Sequence, residues 1–361
     1  MKRYLQAVIG LAVGVGLLWF LFRGTNLIEI RDALRDVSIT WLLVSLGFIV
    51  LSFFLRVKRW SYIVRTAKFV SFRHMFSATQ IGFMANFILP ARLGEVVRAV
   101  VLGKLTDLPF SKALAMVALD RVTDLFGLIV MIFITIFAYR PTGTVVLPAS
   151  VFGKELSFSA SVVQSVEVKM IVVLLAMVVA LAFLYVNQKL VLRTSDACVG
   201  IVSKRLAARL HGILQNFADG LHVFRSASDM AKALGFSLVT WATFVLCMVS
   251  AMFAFHMEFP WYAPFVMEML LAVFISVPGP PGFLGQFQYP IVIALMMLVP
   301  GMIAPKALTF SMVVYAINLV PIVAIGVFCL SWEKFTFFEL TRESSHLKDE
   351  IRTASTDAPS D

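Results

Sequence analysis

Charge is scarce in this chain. Of its 361 residues only 14% are Asp, Glu, Lys or Arg, whereas 60% are apolar and the mean hydropathy is +0.90. That leaves too little charge to solvate a soluble domain of useful size. The apolar residues run in continuous stretches long enough to cross a hydrocarbon core of about 30 Å, without the short alternating segments of a transmembrane barrel, so helices are the spanning structure. Cysteine is nearly absent. Cys198, Cys247 and Cys329 show no C-x-x-C spacing and two lie in apolar runs, which excludes a disulfide framework or a cysteine metal site and makes them packing residues. His74 and His256 sit near expected interfaces without ligand spacing, so no metal is expected. The chain also lacks HExxH, GxSxG, a P-loop and any His paired with a nucleophile, so neither an enzyme nor a cofactor is expected. Acids are fewer than bases, giving a net charge of +10. The excess lies mainly in two inter-helix loops, where it sets orientation and meets anionic headgroups; nucleic acid is not the expected partner.

Residues 1–22 read as an uncleaved first span, because Trp19-Phe-Leu-Phe-Arg23 offers no small residues to a signal peptidase. Gly10 and Gly14 within it form a GxxxG that either packs inside the bundle or joins two protomers as a homodimer. A second span covers residues 39–55. Arg56, Lys58, Arg59, Arg65, Lys68 and Arg73 then fall in one stretch without an acid, read as a cytoplasmic loop. Residues 74–89 and 96–103 are each too short to cross, and Pro90 and Gly94 break the chain between them, so they read as a re-entrant hairpin. Residues 113–138 cross outward, 139–168 form an outer loop and 169–186 return. Residues 196–226 carry apolar positions at three- and four-residue spacing, a cytoplasmic amphipathic segment. A span at 233–255 leads to two more short arms, 262–277 and 287–299, around Pro278, Gly279, Pro281, Gly282 and Gly285. This second hairpin enters from outside. A last span at 307–330 leads to an acidic cytoplasmic tail, 333–361, disordered beyond Arg342.

The expected fold is therefore all-α: a polytopic membrane protein of about six spans with two oppositely oriented re-entrant hairpins. Residues 1–332 form one domain whose halves, about 39–138 and 233–330, repeat with inverted topology. A shared P-x-x-L-G-(E/Q) frame marks both breaks, Pro90–Glu95 and Pro281–Gln286. Arg92, Glu95 and Arg98 rise along the first hairpin's second arm. Asp120, Arg121 and Asp124 lie about 13–20 Å along a helix beginning near Ser111. Charges at that depth either neutralise one another and lock the hairpin to the helix, or mark a substrate or ion path. Arginine suits phosphate because its fork donates two hydrogen bonds at once. In this reading Arg92 and Arg121 meet phosphate, while Glu95, Asp120 and Asp124 orient them or shuttle protons. Asn86, Gln286, Gln288 and Asn318 add amides to the track, and Gln286, Gln288 and Tyr289 can gate it.

N-x-x-L-P-A-R-L-G-E-x-x-R at 86–98, D-R-x-x-D at 120–124 and the Pro-Gly break at 278–285 resemble the flippase-like transmembrane domain of the lysylphosphatidylglycerol synthase family. The likeness covers residues 5–332. It implies a protein of the bacterial inner membrane that moves lipid, and the charge pattern and span order above put both termini of this multi-pass chain in the cytoplasm. A stand-alone form is expected, because too few residues follow the last span for the aminoacyl-transferase domain of the full-length synthases, and lysyl transfer is then not inherited. Such proteins usually carry an acid after the second hairpin's glycines, where this chain has Gln286. The expected function is transport of a phosphate-bearing or isoprenoid-type lipid, one with an anionic headgroup, between leaflets. The alternatives are an intramembrane enzyme acting on a lipid phosphate and a non-transporting accessory protein that presents lipid to a pathway partner.

Overall fold

The computed structural model describes residues 27–65, 68–89, 93–139, 144–147, 156–159, 172, 187, 190–191, 193–194, 227–277, 279–336 and 339–340. Among them lie helices α1 (Leu27–Arg35), α2 (Ile39–Val64), α3 (Phe72–Ile88), α4 (Gly94–Thr106), α5 (Phe110–Ala138), α6 (Ala227–Ala254), α7 (Ala263–Ser276), α8 (Gln288–Leu298) and α9 (Ala304–Trp332). Between α5 and α6, strands β1 (Thr144–Leu147) and β2 (Leu156–Ser159) pair antiparallel, Thr144 opposite Ser159. This small sheet lies in the connection between two helices of an otherwise helical chain. Helices α2, α5, α6 and α9 are long and apolar enough to cross a membrane. Leu43, Leu51, Val239, Leu246, Val320 and Val327 point outward from α2, α6 and α9, as lipid-facing side chains do. The expected span at 1–22, the amphipathic segment at 196–226, the tail beyond 340, and all but Val172 of the span at 169–186 lie outside the described residues.

Helices α2 and α6 run antiparallel along their lengths. Ser38 N donates to Ala254 O at 2.9 Å at one end, and Arg65 pairs with Asp229 at the other. The Arg65 end also gathers Lys68 Nζ, which donates to Thr106 O at 2.5 Å, and Ser77 Oγ, which donates to Glu333 Oε1 at 2.8 Å. The Ser38 end gathers Tyr139 and Tyr262, ring centroids 5.6 Å apart. The chain's path follows from these ties: α3 enters from the Arg65 end and α4 returns to it, whereas α7 enters from the Ser38 end and α8 returns there. With 17, 13, 14 and 11 residues, these arms measure about 25, 20, 21 and 17 Å at 1.5 Å per residue. Their tips meet. Phe87 lies edge-on to Phe283 with centroids 5.2 Å apart, and beside them Tyr315 Oη on α9 donates to Gly282 O at 2.7 Å.

Local chemistry sets the breaks. Ser71 Oγ caps α3 by accepting from His74 N at 3.3 Å. Leu89, which precedes Pro90, is extended at φ −96° and ψ 142°, as a residue before proline must be. Pro90 and Arg92 themselves lie outside the described residues, as does Pro278. Asn86 Oδ1 accepts from Gly94 N at 2.9 Å, satisfying an open N–H at the start of α4. A Cβ on Gly94 would fall on Asn86 and on Gly82 O, so the hairpin closes only on glycine.

One expected boundary is wrong, and with it the assignment of three bases. Helix α2 runs to Val64, so Arg56, Lys58 and Arg59 are helical and not in a loop. The apolar face continues through them, because Val57, Trp60, Ile63 and Val64 are buried, and Arg59 on that face finds carboxylates. Single cysteines on a Cys-less background test the chain path. An impermeant maleimide should label Glu258→Cys in intact cells and Lys104→Cys only after permeabilisation; labelling both from one side would break the arrangement.

Candidate functional site

The centre of the bundle is an ion network joining α2, α4, α5 and α6. Arg59 Nε lies 2.9 Å from Asp120 Oδ1, and its Nη1 lies 2.6 Å from Asp124 Oδ1. Asp120 Oδ2 accepts from Arg98 Nη1 at 2.8 Å. The side chains of Arg59 and Arg98 are 1% exposed and that of Asp120 3%, so this part of the network is dry. Asp120 and Asp124 share a face of α5 because they are four residues apart. Ser237 Oγ on α6 accepts from Arg59 Nη1 at 3.3 Å and donates to Thr123 O at 2.7 Å, while Trp241 Nε1 donates to Asp124 O at 3.2 Å. The Arg98 guanidinium centre stands 3.6 Å from the Trp60 ring centroid. Its Nε and Nη2 find no acceptor among the described residues, and the ring supports the charge instead.

Beside the dry network lies a wetter one. Arg121 Nε sits 2.8 Å from Glu95 Oε1, and its Nη1 sits 3.6 Å from Asp124 Oδ2. The N–H at Nε is not aligned on Glu95, making this an ion pair by distance without a directed hydrogen bond. Arg121 and Glu95 are 31% and 28% exposed, and both line a cavity of about 450 Å³. That volume lies within the range of about 300–1,000 Å³ usual for small-molecule sites. Its wall is largely apolar and aromatic, from α2 to α7, α9 and the second hairpin's tip, with Phe83, Leu128, Phe244 and Ile275 among the lining residues.

The cavity and the dry network divide the expected site residues. Asn86, Glu95, Arg121, Asp124 and Asn318 line the cavity; Arg98 and Asp120 do not. Asn86 is also the Gly94 cap, and Asn318 Nδ2 donates to Val314 O at 2.9 Å within α9. Gln286 and Gln288 lie away from the lining and hold the second hairpin's break. Gln286 Nε2 donates to Val277 O at 3.0 Å and Phe274 O at 3.3 Å, and Gln288 Oε1 accepts from Gly285 N at 2.7 Å. A Cβ on Gly279 would strike the Gln286 amide, so these residues fix one turn together. Among the described residues, no three His, Cys, Asp or Glu side chains converge as metal ligands would.

Sequence reasoning missed Arg56, Arg59 and Glu268. The Arg56 guanidinium centre sits 4.9 Å from the Phe83 ring centroid and 4.8 Å from that of Phe244, and Arg56 lines the cavity. The signal for both arginines was present: buried Ile49, Ser52, Phe53, Val57 and Trp60 keep helical spacing straight through the basic cluster. Glu268 is buried on α7 and also lines the cavity; a lone acid in APFVMEMLLAVFIS was its signal.

Removing one member of a buried ion network strands the rest, at a cost of about 3–5 kcal/mol. Asp120→Asn should therefore lower thermal stability in detergent sharply, measured by unfolding-coupled fluorescence. Arg56→Gln, which breaks no ion pair among the described residues, should change it little.

A family model described as the lysylphosphatidylglycerol synthase TM region matches residues 7–326. Two curated archaeal relatives are UPF0104 membrane proteins. The one from Methanothermobacter thermautotrophicus is 36% identical over 113 residues, 30% of this chain and 33% of that protein. The alignment thus spans about a third of that relative's length. The one from Methanocaldococcus jannaschii is 22% identical over 211 residues, 57% of this chain and 76% of that protein. With a family match across nearly its whole length, the chain is a membrane protein and belongs to the lysylphosphatidylglycerol synthase TM region family.

Proposed function

We propose that the protein moves a phosphate-bearing lipid between membrane leaflets, holding the headgroup in the central cavity while the tails remain in the bilayer. The observation that carries this reading is Arg56: a guanidinium inside the bundle, clamped between Phe83 and Phe244, lining the cavity with no ion pair among the described residues. A cation at that depth is expensive unless something anionic meets it, and a planar fork matches phosphate oxygens. The mixed wall suits an amphiphile, with aromatic and aliphatic side chains beside a few charges. Isoprenoid-type phosphates satisfy the same chemistry. No covalent step is assigned, and lysyl transfer does not come with the family's name.

In this reading α3–α4 and α7–α8 are re-entrant hairpins, and their meeting tips form the headgroup's constriction. Lys58, Arg65, Lys68, Arg73, Lys104 and Lys112 gather toward the Arg65 end, which is then the cytoplasmic face by the positive-inside rule. Both termini would lie there, in a cytoplasmic membrane.

The test is leaflet exchange of fluorescent phosphatidylglycerol in proteoliposomes, read by quenching from outside. Wild type should exchange it, and Arg56→Ala and Arg56→Lys should both slow exchange tenfold or more, because Lys keeps the charge but loses the fork. A Lys variant as active as wild type would make Arg56 a counter-charge only. Exchange unaffected by Arg56→Ala in a monodisperse protein would remove the site. Chemical conversion of the lipid in detergent micelles would identify an enzyme instead.

A further inference from the structure

We propose that Glu268 is a proton-binding site coupled to the anion at Arg56, so that one proton enters the cavity with each monoanionic headgroup. This rests on the headgroup reading above. The carboxylates of Glu95, Asp120 and Asp124 each have an arginine within 4 Å. Glu268 is different. It is only 7% exposed, lines the cavity, and has neither an ion pair nor a hydrogen bond among the described residues. An unpaired carboxylate in such surroundings is a group that gains most from taking a proton.

The charges around it decide what that proton does. Arg56 on α2 faces Glu268 across the cavity and is the charged group acting on it. Arg121 and Asp124 on α5 and Glu95 on α4 share the cavity but are engaged with one another. Cys247 on α6 is neutral and bonded to Ser45, Oγ to Sγ 3.1 Å. Helix α8 brings no charged residue, and α9 brings the amide of Asn318. When Glu268 is ionised, its negative charge offsets Arg56 and repels an entering anion. When it is protonated, the cavity loses one negative charge, Asp124 alone of the lining carboxylates acts on Arg56 while also paired with Arg59, and phosphate supplies the missing charge. One proton bound and one negative charge admitted leave the cavity's net charge unchanged. By linkage the two ligands favour each other equally, and one unit charge inside a protein changes affinity by roughly tenfold or more.

The probe is lysophosphatidylglycerol, a phosphodiester whose own charge is constant from pH 5 to 9 by roughly the phosphate chemistry that fixes one negative charge per diester. Its binding to purified protein in neutral detergent is measured across that range. Wild type should lose affinity about tenfold as pH rises and take up a proton on binding, seen as a dependence of the binding enthalpy on buffer ionisation. Glu268→Gln should bind tightly throughout with no proton uptake, and Glu268→Asp should retain pH dependence. Infrared difference spectra of wild type against Glu268→Gln should contain a protonated-carboxyl band that disappears as pH rises. Identical pH dependence and proton uptake in wild type and Glu268→Gln would overturn the coupling while leaving the headgroup site standing. Absence of binding by either protein at every pH would overturn both.

Discussion

The Arg59–Asp120–Asp124 contact is the constraint on which the bundle depends. Three charged side chains from α2 and α5 meet in an apolar interior, at 2.9 and 2.6 Å, and none can leave without stranding the others. Their agreement fixes the register of α2 against α5. Ser237 and Trp241 on α6 bond to the same segment of α5, extending that register to a third helix. Arg98 brings the first hairpin into it through Asp120. A bundle whose outer surface gains nothing from sliding in lipid acquires one alignment through these polar contacts.

The two hairpins differ in a way their common P-x-x-L-G frame conceals. The first carries charge at Glu95 and Arg98 and is tied to α5. The second has Gln286 where the first has Glu95, and that amide bonds back to its own arm at Phe274 and Val277. Its break is therefore self-contained. The acid this half contributes to the cavity comes from Glu268, within α7 rather than at the turn. Similar frames thus serve different physical ends: one docks a charged arm and the other closes a tight turn on glycine.

Much of this was legible in the sequence, for identifiable reasons. Short apolar arms flanking Pro90 and Pro281 announced two turning-back helix pairs, and D-R-x-x-D placed Asp120 and Asp124 on one face. The end of α2 was misread because positive charge was weighed as a loop signal, while the helical spacing of Val57, Trp60, Ile63 and Val64 was not followed through it. Arg59's partners lie 61 and 65 residues away, and no local pattern names them. The division between dry network and cavity was illegible for a related reason. Arg98 and Arg121 look alike in sequence, and only the packing of Trp60 against one and open space beside the other separates them.

The same contacts determine where the structure can yield. Parting α2 from α5 would separate Arg59 from both aspartates, and parting α2 from α6 would undo the ties at both their ends. The first hairpin is held at its base by Lys68 on Thr106 O and by Ser77 and Arg73 on Glu333. Where the hairpin tips meet, the contact is of another kind, Phe87 against Phe283, and the second tip is further tied to α9 by the hydrogen bond from Tyr315 to Gly282 O. An aromatic pair contributes about 0.5–1.5 kcal/mol beyond its buried area, and a neutral hydrogen bond a similar net amount. Breaking a buried ion pair costs several times more. The ion network therefore holds α2, α4 and α5 to one another far more firmly than the aromatic contact holds the two hairpin tips together.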